Sequence, residues 1–166
     1  MGTYTPFSPV SQSSVTGSGT NINPYRVTTV VAVGTTGITL SETDSYVVGS
    51  DSYQSDVALA NEGSASQSVV IYRAGDCVLA GSDYGYGFLS NGTVGCSSNP
   101  NNSPAGRIEA WVPVTVGSHA GEGEYDDIWA AIATHAAFTD SCACTTELDN
   151  GAGLSWSLTI PAGQSL

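Results

Sequence analysis

Hydrophobic and polar residues alternate along much of this chain, and a period of two is typical of β-strands with one buried face. The clearest example is residues 154–160, where Leu154 and Trp156 share one face and Ser155 and Ser157 share the other. This alternation, together with runs of β-branched residues, indicates several short strands. Strands are predicted at residues 25–33, 38–43, 53–59, 67–73, 107–114 and 154–160.

The pattern changes once, over residues 126–138. Ile128, Trp129 and Ile132 recur there at helical spacing, and Asp126 comes before them, where a carboxylate suits the positive end of a helix. This segment predicts one short helix.

The order of these elements predicts an all-β fold, because strands dominate and do not alternate regularly with helices. The expected architecture is an antiparallel two-sheet β-sandwich with one short helix and disulfide-stapled loops. A length of 166 residues suits a single domain. Residues 1–23 lack periodicity and are predicted to be an extended lead-in or an edge strand, and residues 24–166 are predicted to form the sandwich domain.

Five separated groups of residues carry a resemblance: SQ at 11–12 with TGSGT at 16–20, NPYRVTT at 23–29, DSYVVG at 44–49, YRAGDC at 72–77 and DNGAGLSW at 149–156. Together they resemble a β-sandwich module of unknown function found in large exported or cell-surface proteins of Gram-positive and related bacteria. In those proteins the module lies beside immunoglobulin-like repeats. The resemblance implies an architecture and a location, and it carries over no site residue.

The negative net charge of the chain limits the kinds of partner that it can bind. The chain has 15 acidic residues against three basic ones, for a net charge of -12, and lysine is absent. Three arginines cannot neutralise a run of phosphates, so nucleic acid and anionic membranes are poor partners. With only 11% charged residues, the surface is of the Ser, Thr and Asn type that is typical of secreted proteins. An acidic surface suits a divalent cation or a neutral sugar.

The four cysteines form an even set in a chain of secreted character, and we interpret them as oxidised. Of the three possible pairings we favour Cys77 with Cys96, which encloses a glycine-rich loop, and Cys142 with Cys144. The alternative is a four-thiolate zinc site, which the lack of a Cys-x-x-Cys pair disfavours.

The expected location is extracellular or at the cell surface. Apolar runs are too short for a membrane helix, so direct membrane insertion is not expected. Export would use a signal peptide that is not present in this chain. The expected partners are neighbouring domains of a larger surface protein and a glycan or protein receptor.

The densest group of polar side chains lies in residues 72–87, directly after a predicted strand. Asp76 and Asp83 supply oxygen ligands of the kind that calcium prefers, and Asp149 and Asn150 could add two more. Calcium is therefore the candidate cofactor. The simpler interpretation is that these residues have a structural role. Asn150 begins an Asn-Gly sequence that is typical of a turn, and Asp76 would pair with Arg73.

A sugar site is a second candidate. Tyr84, Tyr86 and Trp111 are predicted to be accessible aromatic residues, and a ring face stacks on a pyranose while a carboxylate such as Asp83 binds its hydroxyl groups.

Catalysis has the least support in the sequence. His119 with Glu122 and Glu124 could form a hydrolase site, but a solvated acidic loop is the favoured interpretation. The predicted function is a non-catalytic extracellular module acting in adhesion or as a spacer. The alternatives are a carbohydrate-binding module, assisted by calcium, and a glycoside-active hydrolase.

Overall fold

The computed structural model describes residues 4–100 and 105–166. The chain divides into two compact units: the first unit is Tyr4–Ser68 with Thr159–Leu166, and the second unit is Val69–Leu158. Within the described residues the elements are β1 (Phe7–Gln12), β2 (Tyr25–Val33), β3 (Ile38–Tyr46), β4 (Tyr53–Asn61), β5 (Gln67–Asp76), β6 (Tyr84–Ser90), β7 (Thr93–Ser97), β8 (Ile108–Trp111), β9 (His119–Glu124), α1 (Tyr125–Ile132) and β10 (Glu147–Ile160).

The predicted fold class is confirmed. The protein is a sandwich-like all-β protein with two antiparallel sheets, one short helix and two disulfides. The pairing of the cysteines is also as predicted, which leaves no thiolate among them for a zinc site. The number of independently folding domains stays a prediction.

The first unit contains a four-stranded sheet in the order β1-β2-β3-β4. β2 and β3 form a hairpin that pairs Val33 with Ile38 at its turn and Tyr25 with Tyr46 at its open end. β3 is longer than predicted because its polar second half continues to pair with β4, where Ser55 hydrogen-bonds Asp44. β1 lies at the edge of this sheet, within the segment predicted to be a lead-in or an edge strand.

One buried amide joins three segments of the first unit. Asn61 is only 1% exposed. Its Nδ2 donates to the carbonyl oxygens of Ala65 and Ile160 at 2.8 and 2.9 Å, and its Oδ1 accepts from the Gly63 backbone at 3.0 Å. The side chain therefore ties the end of β4 to the turn that follows it and to the last residue of β10.

Replacing this amide is expected to destabilise the first unit. Asn61→Ala leaves two carbonyl oxygens and one N–H group without their partner in a buried place, at a cost of about 2–4 kcal/mol. Chemical denaturation measures the change in the free energy of unfolding. The matched control is Asn99→Ala at an exposed position, where little change is expected, and equal effects at the two positions would contradict this role for Asn61.

The second unit contains a sheet in the order β5-β10-β6-β7-β8, and β9 pairs with β10. The pattern of hydrophobic residues did not reveal β6, β7 or β9. Two of them contain alternate glycines, Gly85 and Gly87 in β6 and Gly121 and Gly123 in β9. Glycine has a low intrinsic strand propensity, so tertiary packing rather than local preference makes these segments strands.

The helix is shorter than the predicted segment 126–138. It ends at Ile132, and the Thr134 hydroxyl then donates to the Ala131 carbonyl oxygen at 2.7 Å. His135 follows with a φ of 60°, which a continuing right-handed helix does not allow. The apolar residues after Ile132 therefore belong to a loop.

The turn predicted at Asn150-Gly151 is wrong. Both residues lie within β10, where they pair with Glu124 and Gly123 of β9. The glycine is needed for close packing rather than for a turn, because a Cβ on Gly151 would lie 2.8 Å from the Cα of Tyr125 at the start of α1.

The core of the second unit forms around a disulfide. Cys77 and Cys96 are 1% and 0% exposed, and Val94, Ala120 and Leu154 belong to the same buried cluster. The bridge joins the residue after β5 to β7 across 19 positions of the chain. A loop of this size predicts a contribution of about 3 kcal/mol to the free energy of unfolding.

Candidate functional site

The segment singled out in the sequence, residues 72–87, divides into strand, turn and strand. β5 ends at Asp76, and a tight turn at Ala80 and Gly81 follows, with φ angles of 59° and 86°. Leu79 and Ser82 exchange backbone hydrogen bonds across this turn. Tyr84 then begins β6, so the second half of the segment is more ordered than the predicted loop.

The three aspartates predicted as calcium ligands lie near one another. Desolvation raises the pKa of the Asp149 carboxyl group, and the negative charges of Asp76, Asp83 and Asp126 raise it further. The Oδ1 atom of Asp149 is buried, and no hydrogen-bond partner is found for it among the described residues. We call these four aspartates, Asp76, Asp83, Asp126 and Asp149, the acidic corner of the second unit. The acidic corner repels further negative charge.

The fourth predicted ligand, Asn150, lies elsewhere. Its side chain is buried and donates to Glu122 instead. In the described part of the chain, three acidic, histidine or cysteine side chains bring their ligand atoms within 4.8 Å of one another only at Glu122, Cys142 and Cys144. The aspartates are more widely spaced, so a cation would have to draw them together.

The aromatic candidates do not form one platform. Tyr84 is 61% exposed. Trp111 is half-buried against the core cluster, and a Cβ on Gly75 would lie 2.8 Å from its ring. Trp111 pairs with Val94, which pairs with Leu89. Leu89 is five positions from Tyr84, so the backbones of Trp111 and Tyr84 are offset by about 16 Å along the strand direction.

Tyr84 and Tyr86 share one side of β6, since they are two positions apart. Tyr86 is half-buried. Tyr84 lies directly opposite Asp149 of β10 in the register of the sheet. An exposed ring and the acidic corner are therefore neighbours.

The solvated acidic loop predicted around His119 is wrong, because these residues form β9. His119 Nδ1 lies 2.8 Å from Asp140 Oδ2, and the Ala120 N–H donates to Asp140 Oδ1 at 2.8 Å. The alternation of side chains along a strand places Glu122 and Glu124 on the opposite face from His119. The hydrolase site predicted from these three residues is therefore not assembled in this arrangement.

The most unusual polar group of the second unit is the Glu122 carboxylate, which is only 4% exposed. Asn150 Nδ2 donates to its Oε1 at 2.6 Å, and the Ala143 N–H donates to its Oε2 at 2.9 Å. Gly87 makes room for it, because a Cβ there would lie 1.8 Å from Oε2. Burial raises the pKa of this carboxyl group, and the two hydrogen bonds only partly offset that effect.

A cleft of about 770 Å³ opens beside this carboxyl group. β9, α1 and the loop that follows the helix form its walls. Much of its lining is apolar, with Ile128, Ala131, Phe138 and Leu148 on its walls, and Cys142 of the second disulfide also lines it. The cleft therefore brings together a buried acid, a disulfide-bonded cysteine and an apolar surface.

The hydrophobic pattern gave no indication of this buried group, because Glu122 was assigned to an exposed loop. Two weak signals point to it. Gly87 is a glycine within a strand at a position with no room for a Cβ, and Asn150 precedes a glycine that packing requires. Both become meaningful only once β6, β9 and β10 are known to be neighbours.

Fold and site together define an all-β protein with two disulfides, which indicates an oxidising, extracellular setting. Comparisons with protein-family models, curated proteins and solved structures found no match. Within the described residues, no helix is long and apolar enough to cross a membrane.

The raised pKa of Asp149 predicts a dependence of stability on pH. A carboxyl group whose pKa is higher in the folded state stabilises the fold below its unfolded value of about 3.9, and this contribution is lost as the pH rises through the folded value. Asp149→Asn is therefore expected to raise the melting temperature at pH 7 and to have little effect near pH 3. Thermal melts at the two pH values measure this.

Asp140 supplies the comparison of opposite sign. The hydrogen bonds from the Ala120 N–H and from His119 lower the pKa of its carboxyl group. Its contribution to stability is therefore present above the unfolded value and is lost as the pH falls through the folded value. Asp140→Asn should lower the melting temperature at pH 7. A loss of stability in Asp149→Asn at that pH would contradict the electrostatic account of the acidic corner.

Proposed function

We propose that this chain is a non-catalytic extracellular module of a bacterial surface or secreted protein, acting in adhesion or as a spacer between neighbouring domains. The observation that supports this most is the Cys77–Cys96 bridge inside the hydrophobic core of the second unit. The acidic, lysine-free composition and the resemblance to surface modules point in the same direction.

A spacer has to keep its length under load, and the bridge suits that task. It joins the end of β5 to β7, so the residues between the two cysteines cannot extend when the chain is pulled. Only the rest of the chain can lengthen. The module would therefore limit its own extension in an oxidising environment.

Single-molecule pulling tests this role. Reduction of the bridge should add about 6 nm to the unfolded length, because 19 positions become extensible at about 3.5 Å each and the bridge itself already spans 6.4 Å between the two Cα atoms. The control is the Cys142→Ser, Cys144→Ser protein under oxidising conditions. Its second bridge spans only two positions, so its length should be almost that of the wild type. Equal extension with and without reductant would contradict the spacer role.

Carbohydrate binding is the second candidate, and one observation favours it. The exposed ring of Tyr84 lies directly opposite Asp149, whose buried Oδ1 has no hydrogen-bond partner in the described structure. A sugar would stack on the ring and a calcium ion would neutralise the aspartates beside it.

A glycan array in calcium and in chelator tests this candidate. We expect binding of neutral glycans that chelator abolishes and that Tyr84→Ala or Asp149→Asn weakens at least tenfold, the ordinary consequence of losing about 1.4 kcal/mol. Tyr53→Ala is the control, since Tyr53 is as exposed as Tyr84 but lies in the first unit. Lack of binding above background, or equal loss in the control, would dismiss a sugar site at Tyr84.

A further inference from the structure

The second disulfide differs from the first in its surroundings. Cys142 and Cys144 are separated by a single residue and are half-buried, whereas the core bridge is almost inaccessible. Glu122 places a carboxylate oxygen within 4.8 Å of both sulfurs. A buried acid thus lies beside a disulfide that solvent can reach.

This arrangement is built into the fold. The Ala143 N–H, between the two cysteines, donates to Glu122 Oε2 at 2.9 Å, and the Glu122 N–H donates to the Ser141 carbonyl oxygen at 3.0 Å. Asn150 holds the other carboxylate oxygen at 2.6 Å. The loop that carries the disulfide and the strand that carries the acid are therefore fixed to each other by hydrogen bonds.

A ligand in the cleft would meet one of the two cysteines first. Cys142 lines the cleft and Cys144 is not part of its lining. The apolar walls suit a short carbon chain, and the carboxylates of Glu124 and Asp127 at the cleft disfavour an anionic ligand. A small neutral or positively charged molecule fits these conditions.

We propose that the Cys142–Cys144 disulfide is an exchange site for small neutral or cationic thiols, with Glu122 as the proton donor to the departing sulfur. At this site the protein would capture a thiol covalently, whether or not it acts as a spacer.

The exchange balances with the groups present. The thiol loses its proton to solvent, and the resulting thiolate attacks Cys142 Sγ. A new sulfur–sulfur bond forms, the Cys142–Cys144 bond breaks, and its electron pair goes to Cys144 Sγ. Protonated Glu122 gives its proton to that sulfur, leaving a mixed disulfide at Cys142, a thiol at Cys144 and a carboxylate at Glu122. A second thiol would release the symmetrical disulfide and leave the dithiol form.

Burial favours the protonated form of Glu122, and the hydrogen bonds from Asn150 and the Ala143 N–H, which favour the carboxylate, offset this effect only in part. Asn150 of β10 and Gly87 of β6 carry no charge. On the cleft side, Asp127 of α1 and Glu124 of β9 are the acidic residues. Burial raises the pKa of Glu122, which keeps a proton available closer to neutral pH.

The first test compares the two disulfides in the same sample. The protein is treated with cysteamine, freed thiols are alkylated, and peptide mass spectrometry gives the rate at each cysteine. We expect Cys142 and Cys144 to react while Cys77 and Cys96 stay oxidised, which also reports that the core is folded. Cysteamine should react faster than 2-mercaptoethanesulfonate, an anionic thiol, after each rate is divided by its thiolate fraction.

A peptide spanning residues 139–147, oxidised at its two cysteines, shows what the disulfide does without the fold. The folded protein should exchange at least tenfold faster than this peptide. An equal or slower rate in the protein would overturn the proposal, because the cleft and the acid would then contribute nothing.

Two measurements isolate Glu122. Glu122→Gln should slow the exchange about a hundredfold, at the lower end of what a positioned proton donor contributes, whereas Glu147→Gln, at an exposed position outside the cleft lining, should retain the wild-type rate within a few-fold. If Glu122→Gln does not fold, which reactive Cys77 would reveal, the wild-type pH profile decides instead. The rate per thiolate should fall as the pH rises through the pKa of Glu122, and a flat profile would overturn the proposal.

Discussion

The Glu122 carboxyl group is the constraint on which the arrangement of the second unit depends. An ionisable group in a buried place is tolerated when its hydrogen bonds are satisfied. Asn150 of β10 and the backbone of Ala143 satisfy this one, and Gly87 of β6 provides its space. One side chain of β9 therefore specifies the positions of two strands and of the loop that carries the second disulfide.

The arrangement of the second unit also depends on glycines that allow backbone segments to approach one another closely. Three glycines on the neighbouring strands face atoms that a side chain would displace: a Cβ on Gly121 would lie 2.8 Å from the Phe138 ring, one on Gly151 the same distance from Tyr125, and one on Gly153 2.4 Å from Ala74. The glycine-rich composition of the second unit thus results from packing. These residues lower the strand propensity of the segments that they make fit.

This explains which parts of the fold the sequence could predict. β2 has the predicted bounds because its β-branched residues carry the signal themselves, and the two disulfides follow from cysteine count and spacing. β6 and β9 were not predicted, since their glycines owe their positions to residues distant in the chain. Asn150-Gly151 was predicted as a turn for the same reason, because its local preference is overridden by pairing with β9 and by the bond to Glu122.

The residues of the candidate sites were likewise predictable from the sequence only in part. Asp76, Asp83 and Asp149 were identified as a group because oxygen-rich residue types are visible in a sequence, and the structure places their charges near one another. Trp111 was grouped with Tyr84 on residue type alone, and the register of β6, β7 and β8 separates them. The residue types in a sequence indicate which functional groups are present. Which of those groups lie close together depends on the pairing of the strands.

The two disulfides differ in the residues that surround them, and this difference suggests different roles for the two bonds. The core bridge encloses 19 positions and is shielded by apolar side chains, so its main effect is on the entropy of the unfolded chain. The second bridge spans only two positions, so its restriction of the unfolded chain is smaller. Its fixed distance from a buried acid and its place at an apolar cleft are features that a purely stabilising bridge does not require. That difference is the reason to look for chemistry at Cys142 and Cys144 and for mechanical strength at Cys77 and Cys96.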